Sequence, residues 1–201
     1  MTDYRFPAGV IQLDSLFEYL SAHQDELNLP MEQICLCGTG SGADIALNYT
    51  AACRNKEYAD LIDLHPCIKD IQGLVLVSAL YDPSLAMDTG LILTDYIGYQ
   101  QYRTYYNTLD LSSVSYNVSA YIDSSFPPCI IADGNTGTYV RQAHRMDELL
   151  EEKNVYHISL LNDDASSQKE LVQKSFDLEQ SHFTSALQGR FIDLLRMIKE
   201  E

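Results

Sequence analysis

Residues 73–80, GLVLVSAL, are apolar at almost every position and rich in β-branched side chains. Such a strand has no polar face to turn to water. It has to be covered on both sides, as in a parallel sheet lying between helices. Further short apolar runs share this character: QICLCG at 33–38, CIIAD at 129–133 and VYHISLL at 155–161. Between them lie segments of helical period. Leu13, Leu16, Phe17, Leu20 and Leu27 predict an amphipathic helix over 12–28, closed by Pro30. Residues 41–54 form a second helix, and 55–70 a loop with a short helix within it. Residues 82–126 are irregular and rich in tyrosine, with Tyr99, Tyr102 and Tyr106 on one helical face. A turn spans Ser124 to Pro128. A helix follows at 140–153, with Met146, Leu149 and Leu150 inward, then a polar loop at 162–181. The last helix is 183–199, with Phe183, Leu187, Phe191, Leu194, Leu195 and Ile198 in register. Strands alternating with helices define an α/β fold, a parallel sheet with helices on both faces and right-handed crossovers. The whole of 1–201 reads as a single domain, without repeats or a linker.

The net charge of −16 would be repelled by a phosphate backbone, which sets nucleic acid aside as a partner. No apolar run is long enough to span a membrane. The first residues lack the basic and apolar regions of a signal peptide, so the expected compartment is the cytoplasm. The five cysteines are an odd number and suggest no disulfide framework. Cys35 and Cys37 share a strand face and, without matching ligands elsewhere, read as buried structural thiols rather than a metal pair. Neither a metal nor a cofactor is expected.

The segment Gly38-Thr39-Gly40-Ser41-Gly42 joins a strand to a helix. It fits two kinds of chemistry. As a nucleophile elbow, G-x-S-x-G, it would make a sharp turn that exposes its central residue, with outer glycines required by crowding from neighbouring chain. As a phosphate turn, Gly38, Gly40 and Ala43 satisfy G-x-G-x-x-G/A at a helix N-terminus, which makes a nucleotide-binding module the alternative. That fingerprint also wants an acid about 20 residues on, ending a second strand. Asp60 and Asp63 are near that distance, but no convincing strand precedes them.

The flanking sequence favours the elbow. Tyr4-Arg5-Phe6-Pro7-Ala8 and Gly38-Thr39-Gly40-Ser41-Gly42-Ala43-Asp44-Ile45-Ala46 resemble the matching segments of hormone-sensitive-lipase-like esterases of the α/β-hydrolase fold. So do Ile71 to Ser78 with Tyr81-Asp82, and Phe126-Pro127-Pro128 with Ile130 to Thr136. His182 stands where that family places its catalytic histidine. The resemblance covers nearly the whole chain. It implies hydrolysis of short acyl esters by a serine, a histidine base and an orienting acid.

The residues depart from that pattern in a consistent way. Gly40 occupies the serine position, and Ser41 lies one place along, its side chain expected to point away from the elbow tip. The acid position falls near Gly137. Asp133, at the end of the strand before it, is the candidate substitute, although a turn-forming Asx residue is the plainer reading. The candidate catalytic set is therefore Ser41, His182 and Asp133. The family's strands before the Tyr-Arg segment, and its oxyanion loop, would precede Met1. The resemblance thus implies a hydrolase fold lacking its N-terminal strands, with strand 33–38 left as an exposed edge that pairs with a second copy or another chain. The expected function is a degenerate or partial esterase, or else a ligand-binding or subunit-like protein that keeps the pocket for an ester or acyl ligand.

Overall fold

The protein's computed structural model describes residues 5–87, 89, 91–108, 110, 116–134, 139–161 and 182–200. The apolar runs become four strands, β1 (Ile34–Thr39), β2 (Ile71–Val77), β3 (Cys129–Asp133) and β4 (His157–Leu161). They form one sheet in the order β1-β2-β3-β4. Every neighbouring pair is parallel, with Leu36 beside Leu74, Leu74 beside Cys129, and Cys129 beside His157. β2 and β3 are buried along almost their whole length, which is why their sequences show no polar alternation. β2 ends at Val77 rather than running to residue 80 because Ser78 takes a left-handed backbone, φ 52°.

The helices are α1 (Ala8–Ala22), α2 (Gln24–Leu27), α3 (Ser41–Arg54), α4 (Lys56–Leu61), α5 (Ile92–Tyr105), α6 (Val140–Glu152) and α7 (His182–Glu200). Successive strand residues face opposite sides of the sheet. Leu74, Leu76, Cys129 and Ile131 meet Phe17 of α1, Leu47 and Tyr49 of α3, and Met146 and Leu150 of α6. Val75, Val77, Ile130 and Ala132 meet Leu194 of α7, with Phe191 and Ile198 beside it. The core therefore has a layer on each face of the sheet, as the alternating sequence predicts. Among the described residues, no helix is long and apolar enough to cross a membrane.

The first helix differs from its predicted form. It begins at Ala8 and breaks at His23, and its inner stripe is Val10, Asp14 and Phe17. Leu16 and Leu27, expected inward, are 49% and 47% exposed. The reason is Asp14. Its carboxylate accepts the Tyr49 hydroxyl at 2.8 Å and the Cys67 N–H at 2.9 Å, so the stripe facing α3 contains an acid that apolar periodicity skips. The cysteines also need correction. Cys129 is buried, but Cys35 and Cys53 are only partly covered, and Cys37 and Cys67 are exposed. α7 lies mainly over β2 and β3, which leaves Cys35 only partly covered and Cys37 exposed.

Candidate active site

The turn from β1 into α3 is built as an elbow. Gly40 has φ 53° and ψ −125°, a conformation that side-chain-bearing residues rarely adopt. Its N–H donates to the Val77 carbonyl at 2.9 Å, which pins the turn to the end of β2. Gly38 is needed for space: a Cβ there would lie 2.5 Å from the Ala43 nitrogen and the Gly42 carbonyl. Gly42 is not needed in this way, because a Cβ there would meet nothing within 4 Å. The expected crowding of both outer glycines holds at Gly38 and fails at Gly42.

Ser41 is the first residue of α3 and is exposed. It borders a cavity of about 350 Å³ walled by α1, α3 and α5, together with Asp44, Ile45, Gln101, Tyr102 and Tyr105. Asp133 does not line that cavity. It is fully buried at the end of β3, where one carboxylate oxygen accepts the Ser78 hydroxyl at 2.7 Å and the Gly134 N–H at 2.8 Å. The bond to the next residue's N–H is local but is not the i+2 bond of an Asx turn, while the bond to Ser78 ties the ends of β3 and β2 together. His182 opens α7, but its side chain, like Gly137, lies outside the described residues. Among the described residues, no group of three or more His, Cys, Asp or Glu side chains could hold a metal.

Sequence reasoning passed over Asp44. This residue sits in the first turn of α3 and is 5% exposed. Its carboxylate accepts the Leu80 N–H at 2.6 Å and, more loosely, the Tyr102 hydroxyl at 3.4 Å. Burial pushes its pKa up to about 7, against the opposing pull of those two donors. The signal was in the sequence: an acid embedded in Ala43-Asp44-Ile45-Ala46, on a helix whose residues are buried nearly all round. The tyrosines of α5 divide between two tasks. Tyr99, Tyr102 and Tyr106 pack with Tyr139 around Leu80 and Ala86, as their spacing predicts. Tyr102 and Tyr105 also face the cavity.

A parallel sheet covered on both faces, with a strained strand-to-helix turn beside a cavity, is the arrangement found in α/β-hydrolases. The chain belongs to that family: its model, described as the alpha/beta hydrolase fold, matches residues 2–161. Solved structures agree on the fold. Esterase B from Lactobacillus rhamnosis superposes with TM-score 0.78 at 15% identity, over 98% of this chain and 62% of that one. A carboxylesterase from Lactobacillus plantarum gives 0.63 at 12% identity, over 86% and 66%. A fungal esterase from Rhizomucor miehei gives 0.65 at 12% identity, over 98% and 61%. The chain thus spans a little over three-fifths of the length of esterase B, with 62% of it covered. No curated sequence matches the chain.

Proposed function

We propose that the chain is a degenerate hydrolase, related to carboxylesterases and lipases, with weak or no ester hydrolysis. Gly40 carries the reading. The elbow keeps its strained backbone, yet the residue at its tip has no side chain to attack an acyl carbon or to give a proton to a histidine. Ser41 has a hydroxyl, but it sits one residue into the helix, beside Asp44 rather than Asp133. What the site retains is a cavity of ligand size, so its remaining use is to bind a small molecule rather than to turn it over.

The test is covalent labelling with a serine-hydrolase phosphonate probe, read by intact mass, on the wild type, Ser41→Ala and Gly40→Ser. No adduct on the wild type supports the proposal. An adduct on the wild type that disappears in Ser41→Ala overturns it and makes Ser41 a displaced nucleophile. An adduct gained only by Gly40→Ser would mean that Gly40 alone silences the elbow.

A further inference from the structure

The cavity beside Ser41 combines features that select a charge. Its volume of about 350 Å³ is within the range of small-ligand sites. Ala8, Gly9 and Ile45 make much of its wall apolar, and the Tyr102 and Tyr105 side chains add aromatic surface. Among the described residues, its lining holds no lysine, arginine or histidine, and its one acidic group is Asp44. We infer that this cavity binds a small organic cation, an alkyl or quaternary ammonium, with Asp44 as its counter-charge and Tyr102 and Tyr105 as its aromatic walls. The inference rests on the reading above that the pocket serves ligand binding.

A buried carboxylate is costly unless it is protonated or paired. One oxygen of Asp44 is held by the Leu80 N–H at 2.6 Å, whereas the other has, among the described residues, only the Tyr102 hydroxyl at 3.4 Å. An anionic guest, such as the acid released from an ester, would meet like charge there. A neutral guest would gain apolar contact and hydrogen bonds from Gln12, Ser41 or Gln101, but no ion pair. A cation gains an ion pair at low dielectric and the attraction of the ring faces. The net charge of −16 also draws cations towards the protein.

The groups facing Asp44 leave its titration clean. Tyr102 meets it from α5, and Tyr81, Tyr105, Tyr106 and Tyr139 lie close enough to feel its charge. Burial raises all of these phenols, so among these groups only the carboxyl changes state between about pH 5 and 9. With its pKa pushed up to about 7, the empty pocket holds a carboxyl that is partly protonated near neutrality. A cation would expel that proton, and its affinity should rise with pH through this range.

The experiment is calorimetric titration of the full chain with choline chloride and with 3,3-dimethylbutan-1-ol, its uncharged isostere. It is run at about pH 6 and 8 in buffers of different ionisation enthalpy, on the wild type and Asp44→Asn. Asparagine keeps an acceptor for the Leu80 N–H. The expected result is choline bound roughly tenfold tighter than the isostere at the higher pH, with proton release, and this preference lost in Asp44→Asn. Absence of choline binding, equal binding of the two probes, or a preference that survives Asp44→Asn would overturn the inference. Proton release is read on the wild type alone, so the test holds even where the variant folds poorly. Binding of the isostere without choline would leave the ligand-pocket reading standing while removing the cation.

Discussion

Asp44 in α3 accepts the backbone N–H of Leu80 at 2.6 Å, joining the helix that leaves the elbow to the turn that leaves β2. The bond sits in a setting that disfavours its own charge, and a pH dependence of stability follows. The carboxyl titrates near 3.8 when unfolded and at about 7 in the folded protein. Below the first value both states are protonated. Between the two the folded state binds the proton that the unfolded state releases, so stability falls as pH rises. Above about 7 the full penalty remains. Each unit of difference is worth about 1.4 kcal/mol, which makes the total of order 4 kcal/mol. Asp44→Asn removes the titration. Urea midpoints at about pH 5 and 8 should show the wild type losing ground to the variant at the higher value. Parallel pH profiles would refute the assignment.

Gly38 and Gly42 should respond in opposite ways to alanine. A Cβ on Gly38 would press into backbone 2.5 Å away, and backbone cannot swing aside as a side chain can. Gly38→Ala should cost roughly 2–3 kcal/mol or prevent folding. Gly42 is the second residue of α3 and faces open space, so Gly42→Ala should gain up to about 1 kcal/mol from helix propensity. Thermal melts of the two variants would show this as shifts of opposite sign. Equal losses would mean that something covers Gly42 in solution.

Ser78 offers a test of the strand-end junction. Its hydroxyl donates at 2.7 Å to Asp133, which is fully buried, and its own backbone is left-handed at φ 52°. Ser78→Ala removes a donor from a buried carboxylate and keeps the strain, for a loss of about 1–3 kcal/mol. Ser78→Gly loses the same bond but relieves the backbone, worth about 1–2 kcal/mol. Chemical denaturation should therefore place glycine above alanine. Alanine equal to the wild type would show that Asp133 does not depend on this hydroxyl.

The sheet and its covering helices were legible because burial writes a simple code. Continuous apolar strands such as GLVLVSAL need cover on both faces, and helix periodicity supplies it. The elbow was legible for a similar reason, since Gly38 answers to a local steric demand. Less was legible where one residue serves a distant partner. Asp14 and Asp44 look like surface acids in a one-dimensional count. Each is buried because a tyrosine hydroxyl and a backbone N–H from elsewhere in the chain converge on it. The cysteines misled in the other direction. Cys35 and Cys37 have strand spacing and apolar neighbours, but the helix on their side of the sheet sits mainly over β2 and β3.

The partly uncovered β1 also forms an edge. β1 lies at the end of the described sheet, and none of the described strands pairs with its outer edge. Its residues, ICLCGT, include neither a charged residue nor a proline of the kind that keeps edge strands from pairing. Cys37 and Thr39 are exposed on one face. We therefore expect the edge to pair with a second copy of the chain or with another polypeptide. Light scattering on the purified protein should give more than the monomer mass at concentrations of order 10 μM, where weak interfaces fill. Maleimide labelling of Cys37 should slow as concentration rises, while that of Cys67, away from the strand, should not. Cys37→Lys places a charge at the edge and should restore the monomer. A monodisperse wild-type monomer whose Cys37 labels at the same rate throughout would remove self-pairing. If β1 in that monomer also exchanged its amide hydrogens freely in cell extract, pairing with any other chain would fall with it.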